Sequence, residues 1–170
     1  DTTRITAIMQ DEWEGFEPAT EDEMMKPVDT TFDLEGLTEI AKSITKLPED
    51  KKFLRKINKI IEGRHAMYFE DNKIDWGLAE LLAYGSLLKE GFDVRMTGQD
   101  VERGTFSHRH AVTKVEDSEE EIVLLNNLEG EQGHMYIFNS LLSEYGVVGF
   151  DYGYAMASPK TLPIWEAQFG

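Results

Sequence analysis

The run from Asp75 to Gly98, DWGLAELLAYGSLLKEGFDVRMTG, constrains the fold more than any other part of the chain. Asp75 can accept backbone N–H bonds as an N-cap, and Gly91 stands where a C-terminal cap belongs. Between them only Glu80 and Ser86 are polar before Lys89, and a helix apolar nearly all round is a buried helix. Directly behind it Phe92, Val94 and Met96 alternate with Asp93, Arg95 and Thr97, the period of a half-buried strand. That strand runs into the polar loop GQDVERGTFSHRH, so a buried helix feeds a strand whose end carries a loop.

The pattern repeats downstream. HMYIF predicts a second strand, NSLLSEYGVVGFDYGYAMASP (139–159) a second buried helix, and TLPIWEAQF a third strand. Strands separated by helices predict an α/β fold, a parallel sheet flanked by helices, with ligands gathered at the strand ends. Upstream, LEGLTEIAKSI and FLRKINKIIEGR carry apolar residues at helical spacing, the second run ending before Gly63. Residues 1–30 hold nine acids against Arg4 and Lys26, with Pro18 and Pro27 as breakers. The expected organisation is an acidic linker over 1–30, a helical connector over 31–64 and an α/β domain over 65–170. The chain stops at IWEAQFG immediately after a strand-like run, so the domain is expected to be truncated, a piece of a longer polypeptide.

Composition narrows the function. Apolar residues make up 41% of the 170 and aromatics 11%, enough for a core. A formal net charge of −16 disfavours nucleic acid and anionic membrane as general partners. No apolar run approaches the roughly 18–20 residues that span a bilayer. The absence of cysteine excludes disulfides, thiolate metal sites and cysteine nucleophiles, and is compatible with a reducing compartment. VEDSEEE (115–121) reads as an exposed acidic excursion, its acids being consecutive rather than spaced as ligands.

Three groups of residues could carry chemistry. Glu144 falls about one turn into the second helix, behind a cap at Asn139 or Ser140, with apolar Leu141, Leu142, Val147, Val148 and Phe150 around it. A carboxylate there is either a partner of the helix dipole or a buried functional acid. Gly146, Gly149, Gly153 and Ala157 form one stripe along the same helix. Each glycine costs about 0.5–1 kcal/mol relative to alanine, a cost that close approach of another helix or a flat ligand would offset. The loop after the first strand gathers Gln99, Asp100, Glu102, Arg103, His108, Arg109 and His110. The cation between two imidazoles opposes a metal and suits an anion or a buried ion-pair network. Glu80, alone in its apolar helix, reads as a paired structural acid. No GxGxxG, Walker, HExxH or GxSxG motif is present.

Taken together, DWGLAE, GSLLKEGFDVRMTGQDVERGTFSHRHAV, NSLLSEYGVVGFDYGYAMASP and WEAQFG resemble one family in order and spacing. It is the thiamine-diphosphate-dependent first (decarboxylating) component of the 2-oxoglutarate dehydrogenase complex. The resemblance covers about residues 30–170 and implies a transketolase-like pyrimidine-binding domain that grips the aminopyrimidine half of thiamine diphosphate at a homodimer interface. Glu144, within LSE, matches the family's cofactor glutamate, whose carboxyl group bonds a ring nitrogen and shares its proton, a role that desolvation of a buried glutamate would favour. Leu142 matches a position lining the pyrimidine pocket, Gln99 one facing the substrate, and Gln168 one beside the pyrimidine. Arg109 and His110 are weaker matches to a supporting polar shell, and the stacking aromatic would lie just past Gly170.

The family's magnesium and diphosphate motif, a GDG followed later by asparagine, does not occur here. The resemblance therefore implies that magnesium is bound by a domain outside this chain, with no metal ligand within it, and that these residues alone are inactive. It further implies oxidative decarboxylation of 2-oxoglutarate and transfer of the succinyl group to the lipoyl arm of a dihydrolipoyl succinyltransferase. The setting would be the bacterial cytoplasm or the mitochondrial matrix. Two alternatives stand beside this reading: a relative preferring 2-oxoadipate, and a non-catalytic interaction domain of the same fold, which would leave Glu144 pointing into bulk solvent.

Overall fold

The computed structural model describes residues 9–168. Arg4 of the acidic linker and Gly170 lie outside the described residues. The helices are α1 (Glu21–Met24), α2 (Leu34–Ile44), α3 (Arg55–Phe69), α4 (Trp76–Lys89) and α5 (Glu144–Ala157). The strands are β1 (Asp93–Gly98), β2 (Val112–Lys114), β3 (Glu121–Val123), β4 (Met135–Asn139) and β5 (Thr161–Glu166), with a 3-10 turn at Leu124–Asn127.

The opening motif folds as its residues dictate. Asp75 caps α4 by accepting the Leu78 N–H at 2.8 Å. At the other end Gly91 takes φ +84°, and the Gly91 and Phe92 N–H groups donate to the carbonyls of Leu88 and Leu87. That glycine reversal closes the helix within its last turn and delivers the chain into β1. β1 is the central strand of a three-stranded sheet in the order β4-β1-β5, parallel to both neighbours.

Alternation along β1 serves two layers. Val94 and Met96 point into the main core with Leu78, Leu81 and Leu88 of α4 and Ile40, Ala41 and Ile44 of α2. Arg95 points the other way, its guanidinium 4.7 Å from the Phe150 ring centroid and 5.1 Å from that of Tyr154, both on α5, and 5.7 Å from that of Phe138 on β4. These cation–π contacts help hold α5, which also packs on β5, against its face of the sheet. On the opposite face α2 and α4 meet at Gly85, where an added Cβ would stand 2.4 Å from Ile40 Cγ2, so only glycine allows the two helices to close.

The helical pair does not stand apart: α2 and Ile61 of α3 share the core of α4, and the division drawn from the sequence at residue 64 falls within α3. That helix runs through Gly63 to Phe69 instead of ending there. An isolated glycine costs about 1 kcal/mol, which the buried Ile61 and Arg64 on either side outweigh. The acidic excursion at 116–120 is exposed at the tip of the antiparallel β2–β3 hairpin. Within the expected linker, Thr20 and Glu23 form a capping box at α1, and the Trp13 indole N–H donates to the Met156 carbonyl at 2.6 Å.

One expectation is overturned. The helix over the opening of NSLLSEYGVVGFDYGYAMASP was expected to be buried, yet Val147 is its one buried residue, and Tyr145 is 95% exposed. The glycine stripe faces open space: nothing lies within 4 Å of a Cβ built at Gly149 or Gly153, and only Ser143 Oγ, at 3.9 Å, near one built at Gly146. The cause is layer depth. α5 lies against β5 and the aromatic patch around Arg95, and no further element of the described chain covers its outer apolar side.

Candidate functional site

Because β4, β1 and β5 run parallel, their carboxyl ends, Asn139, Gly98 and Glu166, lie along one edge of the sheet. α5 begins four residues past β4, so its N-terminus returns to that edge. Glu144 is the first residue of α5, with Ser143 at the cap position, rather than one turn in. Asn139 cannot cap because it is occupied by the loop: its side-chain oxygen accepts from Glu102 N at 3.2 Å and its own N–H donates to Glu102 Oε1 at 3.3 Å.

Glu144 is half-buried, neither sealed in a core nor released to solvent. One carboxylate oxygen, Oε2, accepts the indole N–H of Trp165. The other, Oε1, accepts the backbone N–H of Gln168 at 3.3 Å. Gln168 in turn donates its side-chain amide to the carbonyl of Gln99 and to Thr105 Oγ1 at 2.6 Å. Glu144, Gln168 and the backbone carbonyl of Gln99 therefore lie together at the carboxyl edge of the sheet. Gly98 lets them do so, since an added Cβ would stand 2.6 Å from the Glu166 carbonyl oxygen. Leu142, two residues before Glu144, is 64% exposed beside the still more exposed Leu141.

Arg109 lies one step behind this cluster. It is 1% exposed, and all five of its donors are engaged. Nε and Nη2 bond Glu80 at 3.0 and 2.9 Å, Nη1 bonds the Val101 carbonyl at 2.8 Å and Glu166 at 3.2 Å, and Nη2 also reaches Glu166. Burial alone would lower its pKa, but the bonds to Glu166 and Glu80 outweigh that and hold it above the ordinary arginine value. Burial, then the bond to Glu80, pushes the Tyr84 hydroxyl up as well. The loop thus carries the buried ion-pair network expected of it, and Glu80 is the paired structural acid. No Arg109 donor remains to contact a ligand directly.

His110 does not join the cluster. Its ring lines a small internal cavity with Ile44, Arg64, Leu81 and Leu125 on the α2–α4 side of the sheet, because its backbone takes φ +40° and turns the side chain inward. Burial first, then the charges of Lys56, Arg64 and Arg103, holds the imidazole below its ordinary pKa.

The family model "Transketolase, pyrimidine binding domain" matches residues 72–170. The chain belongs to the transketolase pyrimidine-binding domain family. Its curated relatives narrow this to the segment found in 2-oxoglutarate dehydrogenases. It is 47% identical over 143 residues to the 2-oxoglutarate dehydrogenase E1 component of Coxiella burnetii, covering 84% of this chain and 15% of the relative. It is 44% identical over 162 residues to the mitochondrial 2-oxoglutarate dehydrogenase of Schizosaccharomyces pombe, covering 93% of this chain and 16% of the relative. The E1 component of Haemophilus influenzae is 44% identical over 144 residues, covering 85% of this chain and 15% of the relative. The chain thus spans about a sixth of the length of these relatives.

The pyrimidine-binding domain's own atoms fit an aminopyrimidine. A half-exposed carboxyl group at a helix start can share a proton with a ring nitrogen, the exposed Leu141 and Leu142 offer an apolar surface, and Gln168 stands alongside. For magnesium the fit fails: among the described residues no group of three or more acidic or imidazole side chains could hold a metal ion. A surface concavity of about 1060 Å³, lined by Lys42, Pro48, Glu120 and Asn126 among others, shares no residue with this cluster. Trp165 and Thr105 are the site residues that the sequence reading missed. Trp165 sits inside the WEAQFG motif, but its bond to Glu144 spans 21 positions and follows only from the packing of α5 against β5.

Proposed function

We propose that this chain is the aminopyrimidine-gripping segment of a longer 2-oxoglutarate dehydrogenase. The whole enzyme would decarboxylate 2-oxoglutarate oxidatively and pass the succinyl group to the lipoyl arm of a dihydrolipoyl succinyltransferase, in the bacterial cytoplasm or the mitochondrial matrix. The observation that carries this reading is the convergence of Glu144, Gln168 and Gln99 at the carboxyl edge of the sheet.

When bound, thiamine diphosphate supplies an acidic carbon that attacks the 2-oxo group and an electron sink for the loss of carbon dioxide. The chain's residues bind and orient it. Glu144 holds a ring nitrogen through a shared proton: its carboxyl O–H donates to the nitrogen and, once the proton has moved across, its carboxylate accepts from the N–H, the general acid–base work that a half-buried carboxyl group can perform. Leu142 packs against the pyrimidine ring. Gln168 borders it and, through Thr105, keeps the loop closed over the strand ends. Gln99 faces the substrate from the end of β1. Magnesium and the diphosphate are held by residues outside this chain, and these 170 residues alone are inactive.

A second copy of the same chain covers the outer side of α5. Support comes from the exposed Tyr145, Val148 and Tyr152 along a helix whose glycines face open space. Exposed apolar surface of this kind marks an interaction site. The bonding of Glu144 to Trp165 and Gln168 counts against a non-catalytic interaction domain, which would have left that carboxylate in bulk solvent.

The test is electron-acceptor reduction by the full-length polypeptide with thiamine diphosphate and magnesium, given 2-oxoglutarate, 2-oxoadipate or pyruvate. Marked preference for 2-oxoglutarate is expected. Preference for 2-oxoadipate would reassign the substrate, and no turnover with any of them would remove the enzymatic reading.

A further inference from the structure

α5 is weakly seated at its start. Ser143 occupies the cap position but makes no side-chain bond to the helix, and Leu141, Leu142 and Tyr145 around it are exposed. Nothing in the helix's own packing fixes the rotamer of Glu144. What fixes it comes from β5 and the residues just past it: the indole N–H of Trp165 on Oε2 and the Gln168 backbone N–H on Oε1. Trp165 is itself well placed, in register with Thr97 of the central strand, and the next residue, Glu166, is anchored to the buried Arg109.

We infer that Trp165 is a positioning residue: its indole N–H clamps one oxygen of Glu144 and leaves the other to meet the cofactor's ring nitrogen. The inference rests on the reading of Glu144 given above. A carboxylate has about four acceptor sites over two oxygens, so one donor on Oε2 fixes the plane of the group without exhausting it. The bond on Oε1 is long at 3.3 Å and is the weaker of the restraints. Oε1 is therefore the oxygen free to carry the proton that bonds a ring nitrogen, and Trp165 sets the direction in which it points. A clamp of this kind matters because a group that must meet a ligand at a fixed angle has to be ordered before binding.

The test is calorimetric binding of thiamine diphosphate, with magnesium, to the full-length polypeptide and three variants. Trp165→Phe keeps a ring and loses the donor. Trp165→His packs worse but restores an N–H at the equivalent ring position. A hydrogen bond to a charged group is worth roughly tenfold or more in binding, so Trp165→Phe should raise the cofactor Kd about tenfold. Trp165→His should bring it back to within about threefold of the unaltered protein, an order of effects that ring packing cannot produce. Binding unchanged in Trp165→Phe, or as weak in Trp165→His as in Trp165→Phe, would overturn the positioning role while leaving Glu144 untouched. Unchanged binding and unchanged turnover in Glu144→Gln would instead remove Glu144 from the site, and the clamp with it.

Discussion

Arg109 bridges Glu80 of α4 and Glu166 at the end of β5, so one buried guanidinium ties the core helix, the loop and the strand that carries Trp165 together. The two carboxylates are about one quarter exposed, whereas the arginine is sealed. Removing the cation leaves two acids close together without the guanidinium that bridges them.

Arg109→Met should therefore destabilise the fold by about 3 kcal/mol, within the range for breaking a buried ion pair from one side. Denaturant unfolding would measure it. A loss below about 1 kcal/mol would mean that the network contributes little beyond the packing of the arginine stem.

Glu144→Gln in the full-length polypeptide should lower kcat by orders of magnitude with the fold intact, since an amide keeps a hydrogen bond but cannot share a proton. Turnover with 2-oxoglutarate, read beside circular dichroism, checks both halves. Activity equal to that of the unaltered enzyme would take Glu144 out of the proton path.

Two glycines should behave in opposite ways. Gly85→Ala puts a methyl 2.4 Å from Ile40 Cγ2 and should cost about 1–3 kcal/mol through overpacking between α2 and α4. Gly149→Leu meets open space, so the fold of the single chain should tolerate it while self-association weakens. Thermal midpoints and analytical ultracentrifugation of the full-length variants separate these effects. An unaltered dimer in Gly149→Leu would argue that another surface holds the copies together.

His110 gives stability a pH dependence of defined sign. Its folded pKa lies below the unfolded value because burial and nearby cations disfavour the imidazolium, with Asp100 pulling weakly the other way. The unfolded chain therefore takes up this proton at higher pH than the folded chain. The contribution is complete above about pH 6.5 and is lost as pH falls toward the folded pKa. Unfolding midpoints at pH 7.5 and 5.5 should differ less in His110→Asn, a residue that accepts the positive φ at this position. An identical pH slope in the variant would assign the dependence to other groups.

The elements built from local signals were legible in the chain. Asp75, Gly91 and the unbroken apolar face between them specify α4, and the alternation through Phe92–Thr97 specifies β1, because caps and periodicity act over a few residues. The order of strands and helices was enough to require a parallel sheet. Motif resemblance singled out Glu144, Gln99 and Gln168, which the fold brings near one another, and the pairing of Glu80 was legible through its isolation among apolar neighbours. The end of α3 was not, since Gly63 signals a stop whenever flanking burial is left out of account.

Burial of α5 could not be read from residue type, because an apolar helix face looks the same whether it meets its own chain or another molecule. The place of His110 turned on one positive φ, which sends its ring into the core while the side chain of Arg109, its neighbour, bridges α4 and β5. The bond between Trp165 and Glu144 joins residues whose separation carries no periodic signal. It arises from the packing of α5 against β5, which brings the start of the helix to the carboxyl end of the strand. Chain order and local chemistry thus set which elements form. Long-range packing sets which side chains meet, because those contacts depend on the summed geometry of every element between them.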